Sequence, residues 1–174
     1  MSVSVRQMKS IRGDYSLSCR AEDQQAERIH AYLTRSYWAT GISLELVKRS
    51  IAGSLCFGVF FGREQVAFAR VVTDRATFAY LADVYVLEEH RGKKLAAWMM
   101  QTIVEHPELQ GLRRFMLATR DAHGFYAKYG FTETAKPECL MEIAKPGLYL
   151  NPKPANQAPE TAPAAVTPLL LKRR

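Results

Sequence analysis

The stretch from residue 84 to residue 96, VYVLEEHRGKKLA, decides the fold. A β-branched and aromatic run predicts a strand, and it passes through a basic, glycine-containing turn directly into an apolar helix pattern. A helix start presents unpaired backbone N–H groups and the positive end of the helix dipole. Arg91, Lys93 and Lys94 add positive charge at the same point. The stretch therefore predicts a site for a phosphate or pyrophosphate group, although an ordinary solvated helix start has similar composition.

The pattern around this stretch predicts an alternation of strands and helices. Before it, we expect a strand at 14–20, helices at 21–36 and 43–51 with Ser43 as a cap, and three strands at 54–61, 64–72 and 77–87. After it, we expect a helix at 92–105, a strand at 113–119, a helix at 121–130 and two final strands, from Phe131 onward and at 138–144. This order predicts an α+β fold, a three-layer domain with a central mixed sheet.

A second motif lies downstream at residues 119–131, TRDAHGFYAKYGF. Together the two motifs resemble the signatures of the GNAT superfamily of acyl-CoA-dependent N-acetyltransferases. The first signature is Arg/Gln-x-x-Gly-x-Gly/Ala; here Arg91 and Ala96 match, whereas Lys94 replaces the central glycine. The resemblance covers most of residues 10–145 and implies a mostly antiparallel mixed sheet flanked by helices.

The resemblance also implies a cofactor and its contacts. Acetyl-CoA would be the acyl donor, and its pantetheine arm would enter a gap where the fourth and fifth strands of the family part at a bulge. The implied contacts are the backbone of three strand residues, the amides of the turn and helix start, and one tyrosine: Val84, Tyr85, Val86, Arg91, Gly92, Lys93, Lys94, Leu95, Ala96 and Tyr126.

The implied reaction is attack of a neutral amine on the thioester carbonyl, through a tetrahedral oxyanion, with loss of a thiolate. The Val86 amide is the candidate donor to the oxyanion by analogy with the family. Tyr126 occupies the family's position for the acid that protonates the thiolate, and a phenol is protonated at neutral pH. The alternative is that Tyr126 is a core aromatic residue. For the base we rank Asp83 first, with Glu88, His123 and a bridging water as alternatives.

The acceptor pocket is expected between the two early helices. Tyr37 and Trp38 could line it, or simply cover the core, and Glu45 could attract a cationic amine. The acceptor is an unidentified small molecule or peptide carrying a primary amine. An acyl-CoA sensor with little catalysis is the competing function, and a homodimer is common in the family.

Composition narrows the class further. The formal net charge of +7 favours an anionic ligand more than nucleic acid, although an acetyltransferase associated with nucleic acid stays a third reading. The three cysteines lack the spacing of a metal site or a disulfide framework, and Cys56 lies in an apolar run that predicts a buried thiol. Without a leader-like or membrane-spanning run, we expect a cytoplasmic protein with no membrane partner. We expect one domain at 1–150 and a flexible Pro/Ala-rich tail at 151–174.

Overall fold

The centre of the fold is a six-stranded sheet in the computed structural model, which describes residues 9–150. The strands lie in chain order across the sheet: β1 (Lys9–Arg12), β2 (Tyr15–Ser18), β3 (Leu55–Phe61), β4 (Glu64–Thr73), β5 (Phe78–Val86) and β6 (Arg114–Met116). Neighbours from β1 to β5 are antiparallel, and β6 is parallel to β5. The expected mixed, mostly antiparallel sheet is confirmed.

Helices cover both faces of this sheet. They are α1 (Ala26–Leu33), α2 (Leu44–Ala52), α3 (Leu95–Val104) and α4 (His123–Tyr126). One face packs against α1 and α2 through a cluster that includes Ile29, Val47 and Phe68. The other face packs against α3, which buries Trp98, Met99, Met100 and Ile103 among other side chains. The three-layer α+β architecture is therefore confirmed.

Burial on both faces explains why the central strands β3 and β4 are almost continuously apolar, with Arg70 as the exception inside β4. In β3, Cys56 faces the α1–α2 layer while Phe57 faces the α3 layer, and β4 alternates in the same way. A strand that is buried on both faces has no polar side to show in its sequence. The burial of Cys56 is as predicted, and it raises the pKa of this thiol to about 12.

Helix ends follow local chemistry. The Ser43 side chain accepts a hydrogen bond from the Leu46 amide at 3.3 Å, as the cap predicted for the second helix. The region 21–36 forms a short 3₁₀ turn, Ala21–Asp23, before α1 begins. Likewise α4 is followed by a 3₁₀ turn, Ala127–Tyr129, which ends at Gly130 with φ of 88°, in agreement with the predicted C-cap.

Two predictions about strands were wrong. Residues from Phe131 onward and 138–144 form no strand; the second region holds only a 3₁₀ turn at Pro137–Cys139. Within it Met141 and Ile143 are almost fully exposed, so the apolar residues of the predicted strand are not buried against the sheet. The polar segment of β1 gave no periodic signal and was missed, because Ile11 is its one apolar residue and is 72% exposed.

The proposed tail at 151–174 lies outside the described residues, so the predicted division at residue 150 stays a prediction. Among residues 9–150, no helix has the length and apolar character needed to cross a membrane.

Candidate active site

A bulge in β5 sets the position of Asp83, the residue predicted to act as the base. Phe68 of β4 pairs with Tyr85, whereas Arg70 pairs with Ala82, so two β5 residues lie opposite one β4 residue. The two are Asp83 and Val84, and Asp83 has a φ of 55°. A bulge bends the strand and re-aims its side chains. The bulge thereby interrupts the alternation of side chains between the two faces of the sheet, at the point where β5 enters the predicted cofactor-binding stretch.

A gap opens on the other side of β5. The parallel pairing with β6 covers only Phe78–Tyr80, although β5 continues to Val86. The Leu87 amide donates to the Val66 carbonyl at 2.9 Å. Because neighbouring residues of an antiparallel strand point their N–H groups in opposite directions, the Val86 N–H is directed away from β4 and towards this gap. The second half of β5 therefore has a backbone edge that no neighbouring strand of the described chain covers.

A pocket of about 500 Å³ lies between this part of β5 and the start of α3. The predicted cofactor residues that line it are Val84, Tyr85, Val86, Arg91, Gly92, Lys94, Leu95 and Ala96. Within residues 9–150 no side chain caps the first turn of α3, so its amides are left for a ligand. Tyr32 of α1 stacks on Tyr85 with ring centroids 3.8 Å apart and forms a further part of the wall.

The basic side chains of the turn have different partners. Arg91 donates from Nε to the Val86 carbonyl at 3.1 Å and from Nη2 to Glu88 at 3.1 Å, so it braces the turn. Lys93 donates to the Tyr15 hydroxyl at 2.9 Å and does not line the pocket. Lys94 lines the pocket and has a φ of 60°. That left-handed conformation favours glycine, which gives a physical reason why the family motif has glycine where this chain has lysine.

A second pocket, of about 630 Å³, lies beside the bulge and shares Val84 with the first. Besides Val84, four predicted site residues meet on its wall: Tyr37, Trp38, Asp83 and Tyr126. Glu45 is exposed on α2 and does not line this pocket. His123 is also exposed, and it lines a different cavity along β6.

Both carboxylate oxygens of Asp83 are engaged. Arg70 Nε donates to Oδ2 at 2.5 Å, and Trp38 Nε1 donates to Oδ1 at 3.1 Å. The Asp83 side chain is 9% exposed and that of Arg70 is 20% exposed, so this ion pair is only weakly screened by solvent. These contacts fix the direction of the carboxylate at the edge of the pocket.

Tyr126 is half-buried at the end of α4, with its ring packed edge-on against Phe125 at 5.1 Å. Burial raises the pKa of Tyr126, and nearby Tyr37 and Asp121 raise it further. The phenol is therefore protonated at neutral pH. Among the described residues its hydroxyl has no hydrogen-bond partner, and it is left to donate to a ligand.

The sequence interpretation missed several residues of this pocket. They are Arg70, Tyr80, Arg120, Asp121 and Tyr149. Arg70 could have been found, because an arginine inside the apolar run of β4 needs a buried partner. Arg120 and Asp121 lie within the second motif and were not given a role. Tyr149 carries no signal in the sequence, since no local pattern places a residue near the end of the described chain on the same pocket wall as Tyr37.

A bulged strand, a free backbone edge and an uncapped helix start around one pocket are the features of a protein that holds an extended, phosphate-bearing ligand. Residues 21–131 match the model of the Acetyltransferase (GNAT) family. The chain therefore belongs to this family, and it is an acyltransferase. Members of the family use acetyl-CoA as donor and amines as acceptors.

Individual relatives agree with this assignment. The chain is 34% identical over 140 residues to a Gibberella zeae protein named "Putative acetyltransferase FG08082", covering 67% of this chain and 78% of that protein. A solved GNAT-family structure from Xanthomonas campestris pv. campestris is 51% identical and covers 79% of this chain and 97% of its own, with a TM-score of 0.77. A Clostridium acetobutylicum structure solved with acetyl-CoA is 16% identical, covers 84% of this chain and 100% of its own, and shares the fold with a TM-score of 0.55.

Proposed function

We propose that this protein transfers an acetyl group from acetyl-CoA to the primary amine of a small molecule or peptide by direct attack on the thioester. The observation that carries the proposal is the meeting of the two pockets at Val84, beside the bulge. A thioester reaching this point from the α3 side would face an amine held among Tyr37, Trp38 and Asp83.

The cofactor would bind along the first pocket. The pantetheine amides would pair with the free backbone edge of Val84–Val86, as an added strand would. The pyrophosphate would lie at the first turn of α3, where residues 92–96 supply amides and the helix dipole. Arg91 would hold the turn through the Val86 carbonyl, and Lys94 would add charge next to the phosphates.

The acyl transfer would proceed at the opening between the pockets. The amine nitrogen forms a bond to the thioester carbon, and the carbonyl oxygen gains negative charge that the Val86 N–H stabilises. Collapse of this intermediate breaks the C–S bond and expels the thiolate. Tyr126 donates its proton to the sulfur, a role supported by its protonated state and by a hydroxyl with no partner among the described residues. The attacking nitrogen releases a proton as the amide forms, and this proton restores the Tyr126 phenol.

The proton of the incoming ammonium needs a separate acceptor. Asp83 serves through a bridging water in our proposal, because Arg70 and Trp38 already occupy its two oxygens. Its charge would also attract the cation before deprotonation. Glu45 lies off the pocket wall, so it would contribute only a long-range attraction.

The test is CoA release by the full chain with acetyl-CoA and a broad panel of primary amines. At least one amine should release CoA, and Tyr126→Phe should lower kcat by at least about tenfold while the Kd for acetyl-CoA stays nearly constant. Tyr129→Phe is the matched control, since Tyr129 lies in the same turn and its hydroxyl contacts the Ala97 carbonyl. This control should keep its kcat.

Two results would count against the proposal. Unchanged turnover in Tyr126→Phe would remove the tyrosine from the acid role. Tight acetyl-CoA binding with no CoA release for any amine would favour the acyl-CoA sensor instead.

A further inference from the structure

The last described segment of the chain crosses the acceptor side of the molecule. We call residues 145–150 the strap. Within 132–150 every residue is exposed except Tyr149. Tyr149 packs against the cluster beneath α1 and α2, so a single side chain anchors a long exposed segment to the domain.

The strap is seated by close backbone packing. A Cβ added to Gly41 would lie 3.0 Å from the Tyr149 carbonyl oxygen and 3.2 Å from Leu150 Cδ2. Gly41 also has a φ of 80°, which side chains rarely adopt. Within the strap, the Leu150 amide donates to the Gly147 carbonyl at 3.0 Å. The position of Tyr149 is therefore fixed by the shape of the chain around Gly41.

Tyr149 stands between two cavities. One is the 630 Å³ pocket that holds Asp83 and Tyr126; the other, about 570 Å³, lies under the strap. Both cavities are lined by the same three aromatic residues, Tyr37, Trp38 and Tyr149. Tyr37 and Trp38 pack edge-to-face with centroids 4.9 Å apart, and the three residues lie at the boundary between the two cavities.

We propose that Tyr149 determines acceptor specificity: it closes the acceptor pocket on the strap side and limits the acceptor to an amine whose apolar body fits one cavity. This inference rests on the proposed function, because it takes the 630 Å³ pocket as the acceptor site. Removing the ring of Tyr149 joins the pocket to the cavity under the strap. The enlarged space then admits an amine with a second bulky group.

The experiment compares two amines that differ by one ring, 2-phenylethylamine and 2,2-diphenylethylamine. Turnover is followed by CoA release, and binding of each amine is followed by isothermal titration calorimetry. The wild-type chain should prefer the smaller amine. Tyr149→Ala should shift the ratio of kcat/KM towards the larger amine by at least about tenfold, the size expected when a pocket wall is removed.

Two further variants separate this role from a general effect on folding. Tyr149→Phe keeps the ring and should keep the wild-type ratio. Leu148→Ala removes a side chain from the same strap that lines the second cavity but not the first, and it should also leave the ratio unchanged. Melting curves of all variants check that the domain is intact.

The outcomes distinguish the two proposals. An unchanged ratio in Tyr149→Ala, or no binding of either amine to either protein, would overturn the role of Tyr149. Size-selective binding that responds to Tyr149→Ala, but without CoA release for any amine, would support the role of Tyr149 and contradict the proposed function alone.

Discussion

At the residue scale, Lys94 shows that replacing the glycine of a motif by another residue costs conformational free energy. Lys94 is the residue directly before α3, and its φ is 60°. This left-handed conformation costs a non-glycine residue about 1–2 kcal/mol. Lys94→Gly relieves this strain, partly offset by the greater freedom of glycine in the unfolded chain. We expect the free energy of unfolding to stay constant or rise by up to about 1 kcal/mol, measured by urea denaturation.

The same variant should weaken acetyl-CoA binding several-fold, because the ammonium beside the phosphates is lost. Lys93→Gly is the comparison, since Lys93 faces Tyr15 and lies off the pocket wall; its effect on affinity should be smaller. A clear fall in the free energy of unfolding of Lys94→Gly would contradict our inference that the backbone is strained at Lys94.

Individual site residues were predicted from the sequence where a motif fixed their place along the chain. Asp83 directly precedes the first motif and Tyr126 lies in the second, and the structure brings both to the pocket that Trp38 also lines. Glu45 was chosen for its charge alone, and its helix face points elsewhere. Tyr149 depends on a contact between segments more than a hundred residues apart, which no local pattern encodes.

At the element scale, strands were predictable when both faces were buried and unpredictable at the margins of the sheet. The central runs of β3 and β4 are apolar, apart from Arg70 in β4, because helices cover both sides. The apolar residues at 138–144 predicted a strand as well, but pairing requires a free edge with hydrogen-bonding groups in register. Local sequence does not report whether such an edge exists, and β6 pairs through only three residues.

The C-terminal end of α3 carries a pH-sensitive contact. His106 is 1% exposed, its ring packs edge-on against Phe57 at 5.5 Å, and Nδ1 accepts from the Glu108 amide. Burial lowers the pKa of His106, opposed by Glu108 and assisted by Arg75. The unfolded chain, with a histidine pKa of about 6.5, then binds more protons than the folded one at mildly acidic pH. Stability should therefore be full above about pH 6.5 and fall below it.

His106→Asn should flatten this pH dependence, because asparagine keeps an acceptor for the Glu108 amide and takes up no proton. The measurement is the free energy of unfolding in urea at several pH values from neutral to mildly acidic. His123→Asn, at an exposed position, should keep the wild-type slope. Parallel profiles for wild type and His106→Asn would show that another group causes the loss.

At the scale of the whole molecule, different parts of the sheet form the core and the ligand-binding opening. Its β3 and β4 strands are enclosed between helix layers, whereas β5 and β6 diverge and leave backbone groups free at one end. A ligand that fills this opening would join β5 to α3, two elements that otherwise meet through side chains of the core. The positive net charge of the chain also favours an anionic occupant. Cofactor binding should therefore be visible as a gain in global stability.

Acetyl-CoA should raise the melting temperature in a concentration-dependent manner. Saturation at a hundred times the Kd adds about 2.7 kcal/mol to the unfolding free energy, which for a domain of this size corresponds to roughly 5–10 °C. Acetyl-pantetheine is the matched ligand control: it carries the arm that would pair with β5 but lacks the pyrophosphate that would lie at α3, so at equal concentration its shift should be much smaller. Equal shifts in melting temperature for the two ligands would mean that only the pantetheine arm contributes to binding, and would contradict the proposed role of the α3 start. No shift at millimolar acetyl-CoA would contradict cofactor binding itself.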